Sequence, residues 1–425
     1  MKPATETILT RVFITLMSLF TTMAVGHRLG AQGLGEVSLI VLGITVVMLM
    51  SSIVGGGALV YFASRTDRYR LLVPSYAWVA LTAGVAWILL RAIPVLPPRY
   101  ITAVVVLATL QGVFTVHLNI VLGWERFRAA NAINAVQSAA LLLAFLAIEG
   151  QGEIHDASDY VTAALVAFGL TVVLSSIAIA QGPRRRRRST LTVPDQEQVL
   201  RRLFQQGGQV QAANALQLVN YRFMYWLLDR LQGTALLGVY SVGTQLAESS
   251  WLVPRALGTV LYSKVSNAEG AQRQRDLTID VLKASMLFAA TVLIVLALVP
   301  GAWIKALFGS DVRGVPAIVL LLAPGMLAMA ASQAFSHFFS GTARNRHNMI
   351  GSGLGLVASV IAGLLLVPRL GLRGAAMATS VAHLANASYQ CVMFLRISGA
   401  QFSDLLPHAG DRAHLRRLWR TVTGR

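Results

Sequence analysis

Residues 101–122 read ITAVVVLATLQGVFTVHLNIVL, a run with no acidic residue, no lysine and no arginine. Wound as a helix at about 1.5 Å per residue, such a run reaches roughly 30 Å, the thickness of a bilayer's hydrocarbon core. Working outward, blocks of the same kind occupy residues 12–25, 37–54, 71–90 and 160–179. The 425-residue chain is 55% hydrophobic and 13% charged, where a soluble domain carries about 25% charged residues. Its mean hydropathy is +0.62. A soluble core has no room for so many uncharged blocks, so the sequence is that of a multi-pass membrane protein.

Apolar windows place spans at 8–27, 37–62, 71–93, 101–123, 131–149 and 160–181. A second set falls at 205–229, 236–262, 279–300, 315–339, 348–367 and 374–396. Each span is predicted to be a helix, because hydrocarbon offers the backbone no hydrogen-bond partner. The net charge of +18 is gathered in short loops, not in a groove or stripe, so it reads as a topology signal and nucleic acid is not expected as a partner. Alternate loops hold Arg65, Arg68 and Arg70, then Arg126 and Arg128, then Arg184 to Arg188, and later Lys264, Arg273, Arg275, Arg344 and Arg346. The loop around Glu149, Glu153, Asp156 and Asp159 holds none. The positive-inside rule then puts both termini in the cytoplasm. Lys2 followed by residues 12–26 imitates a secretory signal, but Arg11 interrupts it and the repeat described next requires the span to stay. The lone Cys391 allows neither an internal disulfide nor a multi-cysteine metal site. No cofactor is expected, and the scattered His117, His337 and His383 read as packing residues, not metal ligands.

The two halves carry similar patterns. Arg28-Leu29, Leu34-Gly35 and Ser38 after the first span match Arg230-Leu231, Leu237-Gly238 and Ser241 after the seventh. Gly123-Trp124-Glu125-Arg126-Phe127-Arg128 after the fourth matches Gly341-Thr342-Ala343-Arg344-Asn345-Arg346 after the tenth. The expected architecture is all-α: about 12 transmembrane helices in two six-helix bundles, residues 1–182 and 203–396. An even number of spans per half makes them parallel repeats about an axis along the membrane normal, framing a central cavity. Residues 183–202 form a basic cytoplasmic linker. In the tail, 397–425, Leu415, Leu418, Trp419 and Val422 share one helical face, with Arg416, Arg417 and Arg420 around the other, the pattern of a helix lying on membrane lipids.

The stretch Gly33-Leu34-Gly35-Glu36-Val37-Ser38 leading to Gly55-Gly56-Gly57-Ala58-Leu59-Val60-Tyr61-Phe62-Ala63-Ser64-Arg65 resembles the opening of the polysaccharide-exporter (Wzx-type O-antigen flippase) branch of the MOP flippase superfamily. The run from Leu237-Gly238-Val239-Tyr240-Ser241 through Pro254 to Ser266, and the closing Leu366-Val367-Pro368-Arg369-Leu370-Gly371-Leu372-Arg373-Gly374-Ala375-Ala376, resemble it too. The resemblance implies a MOP/MATE-like fold and a flippase that carries an undecaprenyl-diphosphate-linked oligosaccharide across the bacterial inner membrane. It also implies polysaccharide polymerase or glycosyltransferase machinery as working partners, in the pathway of lipopolysaccharide and related polysaccharides.

An anionic headgroup crossing a membrane needs fixed positive charge in a wet site. Span 7 supplies a polar stripe, Asn214, Gln217 and Asn220, ending at Arg222. These are the expected substrate contacts, together with Arg255 in span 8 and Arg11 in span 1, which also has a snorkelling reading. Glu248 and Asp229 are the candidate ion-coupling carboxylates, and either one is also a candidate structural partner for Arg222. Pro254 is expected to kink span 8, and Gly351, Gly353 and Gly355 to permit close helix contact. No phosphate-cradling glycine loop, no His-Glu-x-x-His motif and no large extramembrane domain is present in the sequence, which favours a transporter over an enzyme. An ion-coupled multidrug antiporter of the same fold is the competing reading, and a membrane-embedded polymerase or ligase a more distant one.

Overall fold

The computed structural model describes residues 3–54, 56–63, 68–92, 96–150, 156–182, 218–219 and 222–406. Among them there is no strand. The helices are α1 (Pro3–Ser51), α2 (Gly56–Ala63), α3 (Arg68–Ala92), α4 (Ile101–Gly123), α5 (Phe127–Gly150) and α6 (Ala157–Ala180). There follow α7 (residues 222–232), α8 (Thr234–Glu248), α9 (Leu252–Ser266), α10 (Ala271–Leu298), α11 (Gly301–Phe308), α12 (Val315–Gly341), α13 (Arg346–Ser398) and α14 (Phe402–Leu405).

Among the described residues, eight helices are long and apolar enough to cross a membrane. Two of these exceed a single crossing, at 43 and 53 residues, where about 20 suffice. Each bends at a glycine with positive φ, Gly30 in α1 (φ 64°) and Gly371 in α13 (φ 54°). Expected spans 1 and 2 therefore share α1, and spans 11 and 12 share α13. Span 2, expected to be unbroken, is interrupted, and span 8 is broken close to Pro254, where a kink is expected. A 3-10 turn at Ser52–Val54 follows α1, and another at Ser249–Trp251 separates α8 from α9. Residues 205–217 of expected span 7, the linker and the tail from residue 407 lie outside the described residues, so the expectations placed on them have no counterpart here.

The chain divides into two compact units, Met1–Ala215 with Leu307–Ser310, and Leu216–Ala306 with Asp311–Arg425. The first is packed around Leu59, Phe62, Leu71, Val79, Phe114 and Ile120, from α2, α3 and α4, with Ile179 of α6. The second is packed around Leu261, Ile279, Leu282, Phe335, Phe338 and Phe394, from α9, α10, α12 and α13. In lipid such helix contacts are held by close packing and interhelical polar bonds, since apolar burial alone gains little there. Both devices are present. In the first unit His117 is hydrogen-bonded to Tyr76 and, at 2.8 Å, to Ser175. That is the packing role the sequence suggested for it.

The loop arginines also have structural work. Arg68 and Arg126 donate to the carbonyls of Ile179 (2.8 Å) and Ala178 (3.1 Å) at the C-terminal end of α6. Cations there meet the negative end of the helix dipole. On the opposite side of the unit, Arg28 pairs with Glu149, and Arg99 bridges Glu36 (2.6 Å) and Asp156 (3.0 Å).

Candidate functional site

The site is assembled on the α7–α8 hairpin. Gly233 turns the chain with φ 91°, a backbone angle that costs a side-chain-bearing residue about 1–2 kcal/mol. Thr234 Oγ1 ties the turn by donating to Asp229 Oδ1 at 2.7 Å. Counting from Gly233 along α7 at 1.5 Å per residue, Arg222 lies about 16 Å from the turn, about half the thickness of a hydrocarbon core. Its side chain is one-third exposed.

Two contacts hold Arg222 among the described residues. Its guanidinium carbon sits 4.7 Å from the centre of the Tyr225 ring, within the range of a cation–π contact. Its Nη2 is 3.8 Å from Glu248 Oε2, an ion pair longer than a hydrogen bond. Tyr225 is itself fixed from the facing helix, with its hydroxyl 2.7 Å from Thr244 Oγ1. Its ring meets Tyr240 edge-on at 5.6 Å, and Tyr240 reaches Thr379 of α13 at 2.7 Å. Both tyrosines and both threonines are buried. A polar ladder thus runs from Glu248 through Arg222 and Tyr225 into the unit's core.

Glu248 is the last residue of α8 and stands immediately before the 3-10 turn at Ser249–Trp251. The break has a local cause. Pro254 lacks the N–H that would bond to the Ser250 carbonyl in a continuous helix, and it sits in the first turn of α9. The turn is pinned by Trp251, fully buried, whose Nε1 donates to Met326 O at 3.3 Å and whose ring meets His383 edge-on at 5.7 Å. The kink expected at Pro254 is therefore present, as a 3-10 step.

Of the sequence-predicted residues, Arg222 and Glu248 come together. Asp229 does not serve as the neutralising partner; it accepts from Thr234 at the hairpin turn. Arg255 lies beyond the break on an exposed face of α9, its guanidinium 5.3 Å from the centre of the Trp251 ring. Arg11 is on an exposed face of α1, an arrangement that suits snorkelling. Asn214, Gln217 and Asn220 lie outside the described residues. Tyr225, Tyr240, Thr244 and Thr379 were not anticipated. Tyr240, Thr244 and Glu248 recur every four residues, a polar stripe along α8 that the spacing alone discloses.

A second polar cluster joins α12 and α13. Ser332 Oγ donates to Gln390 Oε1 (2.6 Å), Asn386 Nδ2 to Ser332 Oγ (3.1 Å) and Gln390 Nε2 to Asn348 Oδ1 (3.2 Å). Ser332, Asn386 and Gln390 are buried. These neutral side chains act as interhelical glue within the unit.

Residues 75–314, more than half of the chain, match the family described as polysaccharide biosynthesis protein. No curated protein sequence is significantly similar to the chain. Among solved structures, the lipid II flippase MurJ in an inward closed conformation superposes with a TM-score of 0.71 at 14% identity, covering 93% of this chain and 88% of that one. An inward-facing multidrug resistance MATE family transporter of the MOP superfamily gives 0.70 at 14% identity, covering 91% and 94%. The Vibrio cholerae MATE transporter VcmN in the bent form gives 0.55 at 15% identity, covering 95% and 97%. The all-helical fold is thus that of the MOP superfamily, and the chain is a multi-pass membrane protein.

Proposed function

The chain belongs to the family of polysaccharide biosynthesis proteins, and from that premise we propose that it is a flippase of the MOP type. It carries an undecaprenyl-diphosphate-linked oligosaccharide from the inner to the outer leaflet of a bacterial inner membrane by alternating access. The oligosaccharide is built by glycosyltransferases on one side and consumed by a polymerase or ligase on the other. The lipid II flippase and the multidrug transporter that the chain resembles in structure share the fold that such a cycle uses.

The observation that carries this reading is Arg222. A guanidinium at mid-span is costly unless it has work in a polar site. Here it rests on Tyr225 and pairs loosely with Glu248, with a third of its surface exposed. A planar fork of donors on a fixed ring suits a diphosphate, whose oxygens it can engage two at a time. Asn214, Gln217 and Asn220, preceding it at near-helical spacing, suit the sugar hydroxyls, and Arg255 on α9 is a further candidate cationic contact, while Arg11, on an exposed face of α1, suits the snorkelling role. Glu248 is the candidate for ion coupling; Asp229, tied to Thr234, is the weaker one.

The test is export of lipid-linked oligosaccharide in cells, read as its accumulation on the inner leaflet at equal protein levels. Arg222→Lys retains part of the export and Arg222→Ala loses most of it. A multidrug antiporter of the same fold would draw on Glu248 and the Tyr225 ring. Under that reading Arg222→Ala leaves oligosaccharide export intact and Glu248→Gln abolishes drug efflux, a pattern that would sink the flippase assignment.

A further inference from the structure

The Arg222–Glu248 pair is unusual in three ways that bear on one another. At 3.8 Å it is an ion pair without hydrogen-bond contact, so Glu248 neutralises the guanidinium without occupying its hydrogen-bonding fork. Both side chains keep a quarter to a third of their surface exposed, at 33% and 28%, so an incoming group has access to both. Glu248 also closes α8 at the step into the Ser249–Trp251 turn, so whatever holds Glu248 also holds the end of that helix. Tyr225, by contrast, is bound to Thr244 one turn earlier on α8 and is buried. Arg222 is therefore anchored by Tyr225 and Thr244 independently of Glu248.

We infer that Glu248 is an exchangeable counter-ion of Arg222, displaced by the diphosphate of the transported lipid, and that its displacement frees the break between α8 and α9. The inference rests on the diphosphate reading of Arg222 given above. A carboxylate and a phosphate present the same paired oxygens to a guanidinium, and the phosphate brings more charge. Glu248 thus keeps the cation neutral in the empty transporter, where an unpaired charge at mid-span would be expensive, and yields it to a stronger anion. The released carboxylate keeps its exposed edge for water. With Glu248 released, the last turn of α8 lies between the Tyr225–Thr244 bond one turn before it and the buried Trp251 beyond it, next to a step that already lacks the hydrogen bond Pro254 cannot make. A substrate-dependent change in span 8 follows with no ligand contact to the turn itself.

The experiment uses the full-length protein in nanodiscs of phosphatidylethanolamine, with two probes, undecaprenyl diphosphate and inorganic pyrophosphate. Binding affinity and backbone hydrogen exchange over residues 246–255 are read together. In the native protein undecaprenyl diphosphate raises exchange over that segment. Glu248→Gln shows the raised exchange with no probe present and binds the probe roughly tenfold more tightly, because the internal competitor is gone. Glu248→Asp, with its shorter reach, falls between the two, which separates loss of charge from misfolding. If pyrophosphate acts like the lipid, the headgroup alone performs the exchange; if only the lipid acts, the polyprenyl chain is needed to deliver it. Both results support the exchange. Weaker or unchanged binding in Glu248→Gln, with Arg222→Ala still losing the probe, overturns the counter-ion role and leaves the diphosphate reading standing. Absence of binding in the native protein and in Glu248→Gln alike overturns both.

Discussion

Glu125 and Ala343 share a backbone φ of 59°, and they are the non-glycine residues with positive φ among the described residues. They occupy matching positions in the two Gly-x-x-Arg-x-Arg loops. The hydrogen bonds around them match as well. Arg126 N donates to Val121 O and Glu125 N to Leu122 O, while Arg344 N donates to Phe339 O and Ala343 N to Ser340 O. This is the Schellman closure of a helix C-terminus, which ordinarily places glycine at the left-handed residue. Two halves that differ in sequence at this residue have kept the same strained turn, and the glycine preceding it explains why. A Cβ on Gly123 would strike Val60 O, and one on Gly341 would crowd Val265 and come within 3.3 Å of Tyr262 O. In each half the fourth-span helix has to stop against the end of the second-span helix of its own unit.

Replacing Glu125 or Ala343 by glycine is therefore expected to be neutral to stabilising. Relief of the left-handed angle is worth about 1–2 kcal/mol, and the added freedom of the unfolded chain returns about 0.5–1 kcal/mol of it. Thermal unfolding in detergent checks this. A lowered midpoint in both variants would show that the two side chains, not the turn, carry the conservation of shape between the loops.

Gly351 and Gly353 separate a packing glycine from a tolerated one. A Cβ at Gly351 would lie 2.5 Å from Asn386 Oδ1 and 3.2 Å from Gln390 Cγ, whereas one at Gly353 meets nothing within 4 Å. Gly351→Ala is expected to cost about 1–3 kcal/mol, by forcing apart the amide cluster with Ser332 and Asn348. Gly353→Ala should be neutral or better, since alanine is the stronger helix former. Equal midpoints for the two variants would count against the cluster as glue between α12 and α13.

Much of this was legible in the sequence. Charge-free blocks of bilayer length point to the helical class, and the two Arg-x-Arg loops match each other in sequence alone. Arg222 and Glu248 were legible as charges in apolar surroundings. What pairs with what was not. Asp229 and Glu248 stood as equal candidates for Arg222, and only the hairpin geometry sends Asp229 to Thr234 and brings Glu248 across. Gly353 reads like Gly351 in sequence, because a glycine's letters do not say which side of the helix its neighbour occupies. The pairs of Arg28 with Glu149 and of Arg99 with Glu36 and Asp156 join residues far apart in the chain, where composition carries no signal. The 3-10 step at Ser52–Val54 has no proline to announce it.

Side preference is open to direct measurement at the two ends of α6. Ser158, in the first turn of the helix, and Gln181, at its C-cap, are both exposed, and the positive-inside reading puts Ser158 outside and Gln181 inside. On a Cys391→Ser background, Ser158→Cys should react with an impermeant thiol reagent in intact spheroplasts and Gln181→Cys should not. The Ser158 backbone bonds to Asp156 and Thr162 do not depend on its side chain. The reverse pattern of labelling would invert the topology.

The break in span 8 makes the most demanding prediction. In Pro254→Ala the restored N–H has the Ser250 carbonyl within one helical turn, so α8 and α9 can join into one helix. The Trp251 side chain, bonded to Met326 O and buried beside His383, is left in place, so folding should not suffer. Hydrogen exchange over residues 249–255 should fall, and oligosaccharide export should slow several-fold at equal protein level, because a straight span no longer yields when Arg222 changes partner. Trp251→Phe is the opposite perturbation, since it removes the bond to Met326 and loosens the turn's anchor, at a cost of about 1–3 kcal/mol; exchange should rise there. If Pro254→Ala lowers exchange yet exports at the native rate, the break is a static feature of the fold and the hinge role assigned to it is wrong.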